Sequence, residues 1–257
     1  MNIIIAGYGA VGKAMERALS YNPKVTTYID DPLLNRFVDD DLIVHGVIVA
    51  VATPKDQTGA CYTENVYNVY EKYGEDVKYL VKSTIDPLWL KNNSPANTTF
   101  SPELLRGSTG VDPSQEFLDS EIAIYGGSNC RFWHELFAPV LPKLKEVRYL
   151  TLEQAAFSKY VINTFLATKV TFFNEIYRIY TDLGFEGFDG MIEAACNDRR
   201  IGHSHTQVPG PDGSFGFGGH CFPKDISALA SLARSKAIDS PLLNSVIDVN
   251  SIDIKRV

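Results

Sequence analysis

Apolar runs alternate with helical patterns over the first half of the chain. NIIIA (2–6) reads as a short apolar strand; GYGAVG follows at once, then AMERALS at helical spacing. VTTYIDD (25–31) is a second strand ending in acids, and GVIVAVAT (46–53) and KYLVKST (78–84) are two more, each ending in threonine. Continuous apolar runs, as opposed to alternating ones, fit strands covered on both faces. Strands separated by helical segments imply crossover connections and a parallel sheet. The expected fold class is α/β, with a doubly wound, Rossmann-like domain over residues 1 to about 150.

The pattern changes near VRYLT. From about 152 to 183 the chain reads LEQAAFSKYVINTFLATKVTFFNEIYRIYTDL, without proline and apolar around most of a helical circumference. Thr151 with Gln154 makes a capping-box pattern, and Gly184 is a stop signal. Such a helix, roughly 48 Å long at 1.5 Å per residue, must be covered on several sides. A helical domain over residues 151 to 257 is therefore expected, with the helix covered by a second domain, a second subunit, or both.

Composition narrows the function classes. The 257 residues are 45% apolar with a formal charge of −7. No basic stripe or basic segment with interleaved aromatics appears, which argues against nucleic acid. No apolar run is long enough to span a bilayer. The start, MNIIIAGYGAVG, lacks the charged region and cleavage site of a signal peptide. Cys61, Cys130, Cys196 and Cys221 are scattered without a CxxC, so a disulfide framework is not expected and a reducing cytoplasm is the default.

GYGAVG supplies G-x-G-x-x-G through Gly7, Gly9 and Gly12. Gly7 permits the tight turn, Gly9 lets the backbone approach a pyrophosphate, and Gly12 allows close packing of helix on strand. Helix-start amides and the helix dipole favour the phosphate charge. Asp30, ending the next strand, could accept the ribose hydroxyls of NAD and would repel the extra phosphate of NADP. The plain alternative is a structural turn in a sheet that binds another nucleotide-like ligand, such as S-adenosylmethionine.

Two further groups carry candidate chemistry. Lys159 and Asn163 stand at i and i+4 on the long helix and share a face. They could hold a substrate oxygen, or the lysine could snorkel and the asparagine merely cap or bridge. Cys221 lies in SFGFGGHCFPKD, after a glycine cluster and before ISALASLARSKA at helical spacing. Pro223 suits a first helical turn, so Cys221 is expected at a helix N-terminus, where the dipole and Lys224 favour a thiolate. That is the setting of a nucleophile, with Asp225 available to orient water or act as a base; a small residue buried in a tight turn is the ordinary alternative. His203, His205, His220 and Cys221 match no familiar zinc spacing, and no metal is expected.

The segment SFGFGGHCFPKD resembles the active-site segment of the UDP-glucose/GDP-mannose dehydrogenases. GYGAVG, VATPKDQTG, VKSTIDP, SPELL, SKYVINTFLATKVTFFNE and DRRIG resemble other blocks of that family in the same order, from residue 1 to roughly 250. The resemblance implies an NAD-dependent oxidation of a nucleotide-sugar C6 alcohol to the acid in two hydride transfers, UDP-glucose being the first candidate substrate. By position, Cys221 would form the thiohemiacetal and thioester, Lys159 and Asn163 would steady the C6 oxygen, and Asp225 would assist proton transfer. Thr84 and Glu103 would hold the hydrolytic water. Gly7, Tyr8, Gly9, Ala10, Val11, Gly12, Asp30, Thr53, Thr84 and Lys224 would meet the cofactor. Glu103, Leu104, Leu105, Lys159, Asn163, Phe217 and Gly218 would meet the substrate, with Arg200 reaching one bound to a neighbouring subunit of a homodimer paired through the long helix.

Three departures stand out. Arg106-Gly107 replaces the Glu-Gly expected soon after SPELL, so a family glutamate is missing. The loop HSHTQVPGPDGS (203–214) looks longer than usual. PLLNSVIDVNSIDIKRV resembles the helix leading into the family's C-terminal nucleotide-holding domain, which is expected to be absent here. A cofactor-binding remnant or subunit without turnover is the alternative function.

Overall fold

The computed structural model describes residues 1–105 and 111–253. The chain divides into two compact units, residues 1–56 with 61–159 and residues 57–60 with 160–257.

The described part of the first unit contains seven strands: β1 (Asn2–Ala6), β2 (Thr26–Asp30), β3 (Gly46–Val49), β4 (Lys78–Val81), β5 (Thr98–Phe100), β6 (Ile122–Gly127) and β7 (Glu146–Leu150). They form one sheet in the order β2-β1-β3-β4-β5-β6-β7, parallel throughout except where β5 meets β6. Helices α1 (Ala10–Ser20), α2 (Glu64–Tyr73), α3 (Pro87–Asn93) and α5 (Cys130–Phe137) supply crossovers between parallel strands, and α4 (Pro113–Leu118) lies in the connection between antiparallel β5 and β6.

Burial explains this order. Ile3, Ile4 and Ile5 are all fully buried. Ile3 and Ile5 pack with Met15, Leu19, Ile48, Leu80 and Trp133 on one face, and Ile4 and Ala6 with Val47, Val49, Tyr79 and Val81 on the other. At about 1.5–3 kcal/mol for each such side chain, a strand of this kind belongs inside the sheet, as the continuous apolar runs indicate. The β2–β3 connection is the exception to strand–helix alternation. It carries only the 3-10 turn Pro32–Leu34, and Leu33, Phe37 and Ile43 are exposed.

Strands β3 and β4 end at Val49 and Val81, short of the threonines that the apolar runs include. Beyond these points hydroxyl groups take over from the ladder. Ser83 Oγ donates to the Val51 carbonyl and Thr53 Oγ1 to the Thr84 carbonyl, each at 2.6 Å.

Helix α6 (Leu152–Asp182) starts with the expected capping box. The Thr151 amide donates to Gln154 Oε1 at 3.1 Å, and the Gln154 amide donates to Thr151 Oγ1 at 3.3 Å. It ends at Gly184 with φ of +77°, the Phe185 amide reaching back to the Tyr180 carbonyl at 3.2 Å, a Schellman closure. Its first turns belong to the first unit, where a Cβ on Gly126 would lie 2.4 Å from Ala155 Cβ. Only glycine lets this helix pack so closely on β6.

The second unit is helical in its described residues, with the rest of α6, α7 (Phe188–Cys196), α8 (Cys221–Ser235) and α9 (Pro241–Asp253). One core gathers Phe173, Phe188, Ile192, Cys196 and Val208; another gathers Ala167, Phe217, Ile226 and Val246.

Candidate active site

The glycine turn follows β1, where the strand order reverses between β2 and β3. In open α/β sheets this is the usual place for a ligand. Gly7 has φ of +88°, and a Cβ there would lie 2.7 Å from the Ala50 carbonyl oxygen. A Cβ on Gly12 would lie 2.1 Å from the Gly7 carbonyl oxygen, whereas one on Gly9 would meet nothing within 4 Å. The first and third glycines are thus needed by the protein's own packing, and the second leaves open space. This arrangement fits a pyrophosphate approaching the backbone beside the start of α1, which contains Ala10 and Val11.

Asp30 does not face this turn. Its buried carboxylate accepts from Lys72 Nζ, 2.9 Å from each oxygen, and from the Tyr73 hydroxyl at 2.7 Å. Asp31 takes the other direction: its Oδ2 accepts the Tyr8 amide at 2.7 Å and its Oδ1 the Leu33 amide at 2.9 Å. Successive side chains at a strand end point to opposite faces, so a one-residue difference decides which acid meets the glycine turn. The Tyr8 hydroxyl bonds Glu16.

A second group in the same unit surrounds Lys159, which is 3% exposed and does not snorkel. Its ammonium donates to the backbone carbonyl of Glu103 and pairs with Glu103 Oε2 at 3.1 Å. Glu103 Oε1 accepts the Leu105 amide at 2.6 Å, which folds the SPELL segment into a tight turn. Leu105 packs on the core while Leu104 is partly exposed. Arg106 and Gly107 lie outside the described residues. Sequence reasoning missed Lys82, which donates to Ser101 Oγ at 3.2 Å and to the Pro102 carbonyl at 3.5 Å. Burial pushes the Lys82 ammonium down to about 8; Glu103 opposes this and the like charge of Lys159 adds to it. A lysine inside the run read as a buried strand, KYLVKST, was the available signal.

In the second unit, Cys221 is the first residue of α8 and is exposed, with Pro223 in the first turn as expected. Asp225 is fully buried and its carboxylate takes two donors, Asn163 Nδ2 and Lys224 Nζ. Lys224, assigned by resemblance to the cofactor, is therefore held by Asp225. Phe217 is a core residue and Gly218 is exposed. Arg200 is exposed and forks onto Asp198, its Nη2 lying 2.6 Å from Asp198 Oδ2. Among the described residues none of the four cysteines is in a disulfide, and no helix is long and apolar enough to cross a membrane.

Residues 153–252 match the profile of the UDP-glucose/GDP-mannose dehydrogenase family, central domain. The chain is 29% identical over 254 residues to UDP-glucose 6-dehydrogenase of Rickettsia typhi, covering 90% of this chain and 56% of that one. It is 29% identical over 234 residues to GDP-mannose 6-dehydrogenase of Pseudomonas putida, covering 81% and 51%. The chain thus spans about half the length of these curated relatives. Its fold is similar to a UDP-glucose dehydrogenase structure from Pyrobaculum islandicum, with a TM-score of 0.81 and 20% identity over 98% of this chain and 68% of that one. Profile, relatives and fold agree with the blocks from GYGAVG to SFGFGGHCFPKD: the chain belongs to the UDP-glucose/GDP-mannose dehydrogenase family.

Proposed function

We propose that this protein oxidises the C6 alcohol of a nucleotide sugar to the carboxylate, with Cys221 as the covalent carrier and NAD as the cofactor. The observation that carries the reading is the engagement of the ionisable groups by one another. Lys159 is locked to Glu103, Asn163 and Lys224 converge on the fully buried Asp225, and Cys221 alone of the set stands exposed. A lysine, a carboxamide and a helix-start thiol suit acyl chemistry better than cofactor binding alone.

NAD, when bound, accepts the hydride that leaves C6 in each of the two oxidations. Gly7, Gly9, Gly12 and the start of α1 would hold its pyrophosphate, and Asp31 would take the ribose hydroxyls in place of Asp30. Lys159 and Asn163 steady the C6 oxygen as its hydroxyl proton passes to water and charge develops on it. The Cys221 sulfur adds to the aldehyde, giving a thiohemiacetal, and its proton passes to Asp225 directly or through water. Loss of hydride from that adduct leaves the thioester. Water, positioned by Glu103 and Thr84, attacks the acyl carbon; the carbon–sulfur bond breaks and the thiol returns.

The substrate is proposed to be UDP-glucose, giving UDP-glucuronate; GDP-mannose is the comparator, since a relative carries that name. Partnership with a second copy through α6 rests on Val161, Phe165, Phe172 and Ile179. They repeat at helical spacing on α6, each at least 50% exposed. Cysteines outside disulfides fit a reducing compartment, and the cytoplasm is the proposed one.

The test is NADH formation from NAD and a panel headed by UDP-glucose, with the ratio of NADH to substrate consumed. Two NADH per sugar, abolished by Cys221→Ser, is the expected result. Tight NAD binding with no NADH from any sugar nucleotide would favour the subunit without turnover, a reading kept because the chain spans about half the length of its curated relatives.

A further inference from the structure

The segment that leads into Cys221 is held from two helices. Asn250 of α9 clasps the backbone of Phe217 at two points: its Oδ1 accepts the Phe217 amide at 2.7 Å, and its Nδ2 donates to the Phe217 carbonyl at 2.9 Å. Asn174 of α6 accepts the preceding amide, that of Gly216, at 2.9 Å and anchors its own Nδ2 on the Val170 carbonyl at 2.8 Å. Both asparagines are buried, at 6% and 2% exposure. A buried carboxamide is costly unless its donors and acceptor are used, and here both acceptors are used on two consecutive amides of one loop.

The fit around the loop is close. Gly216 has φ of +70°, and a Cβ there would lie 2.5 Å from Asn250 Oδ1. The Phe217 ring is 5% exposed, packs with Ala167, Ile226 and Val246, and stands edge-on to Phe222 with ring centroids 6.2 Å apart. Backbone and side chain of Phe217 are thus both fixed shortly before α8 begins at Cys221.

We propose that Asn250 is a positioning residue for Cys221: by clasping Phe217 it sets where the glycine loop delivers the thiol at the start of α8. The proposal rests on the reading of Cys221 as acyl carrier. It gives α9, which contributes none of the proposed reacting groups, a part in the reaction through its hold on Phe217.

Alkylation of Cys221 by iodoacetamide, followed by mass spectrometry of its peptide, tests the clasp without needing turnover. In folded Asn250→Ala the Cys221 rate is expected to change by about tenfold, the effect of losing two hydrogen bonds to the loop. Asn250→Asp, which keeps an acceptor for the Phe217 amide, should fall between Asn250→Ala and the parent protein; Ser251→Ala, at an exposed neighbour, should match the parent. With UDP-glucose, kcat should fall in the same order while KM stays near the parent value. A purely structural role would lower the melting temperature and leave the alkylation rate of folded protein within about twofold of the parent, and that result overturns the proposal. Should the Asn250 variants not fold, amide exchange in the parent protein decides: Gly216 and Phe217 amides should be protected, and exchange at open-loop rates overturns the clasp. If the parent makes no NADH but the alkylation series holds, the clasp stands and the dehydrogenase reading falls.

Discussion

Lys159 makes two contacts to one residue: its ammonium donates both to the backbone carbonyl and to the carboxylate of Glu103. The side chains are 4% and 12% exposed, so water does little of the solvation. The Glu103 carboxylate is also held from its other oxygen by the Leu105 amide. The pair and the turn that carries it therefore stand or fall together.

Removing one partner of a buried ion pair leaves the other charge uncompensated, at a cost of about 3–5 kcal/mol. Glu103→Ala is expected to lose stability near the lower end of that range, because the Glu103 carbonyl still receives the ammonium. Urea unfolding of Glu103→Ala and Glu103→Gln measures this. A loss below about 1 kcal/mol in Glu103→Ala, the size of an exposed pair, would refute the buried-pair account.

Lys82 gives stability a pH dependence of definite sign. Its folded-state value is depressed to about 8 by burial, against the ordinary lysine value of 10.5. Between these values the unfolded chain binds more protons, so stability rises with pH in that window. Tyr73 and Tyr79 are raised by burial, so their opposing effect begins only above the ordinary tyrosine value of 10. From pH 8 to about 9.5 the parent protein should gain about 2 kcal/mol relative to Lys82→Met. Parallel pH profiles for the two proteins would show that the lysine titrates normally.

Asp30 and Asp31 should separate in cofactor binding. Asp31→Ala is expected to weaken NAD by about tenfold, as for a lost hydrogen bond to a charged group, and to narrow the preference over NADP. Asp30→Asn should instead destabilise the fold by removing the charge and one of the two oxygens that hold Lys72 and Tyr73, with NAD affinity close to the parent value. Calorimetric titration with both cofactors reads the outcome; the reverse ranking would return the ribose to Asp30.

Exposed Phe165 and Phe172 should mark the α6 pairing surface. Phe165→Glu and Phe172→Glu each place a charge on that face, and light scattering should show monomer for both and dimer for the parent protein. A parent protein that is itself monomeric at tens of micromolar would dismiss the pairing.

What could be read from sequence was local. Thr151 and Gln154 form their capping box within one turn, and Gly7, Gly9 and Gly12 do their separate work within six residues. The choice between Asp30 and Asp31 turns on a one-residue phase at a strand end, which periodicity does not resolve. Lys82 near Glu103 and Asn250 on Phe217 depend on chain crossings distant in sequence, so neither follows from spacing. The missing helix between β2 and β3 was hidden because DPLLNRFVDDDLIV carries apolar residues that the fold leaves exposed.

Gly126 sits where β6 ends beside β5, a seam of two residue pairs, Thr99 with Gly127 and Phe100 with Gly126. Ala155 and Ala156 of the long helix are counted among the sheet's own core residues. A protease fragment stopping at Leu150 would leave that seam bare and should aggregate or be degraded, whereas one retaining residues through Lys159 keeps its seal. The autonomy of the first unit is thus borrowed from the opening turns of a helix whose remaining length serves the second.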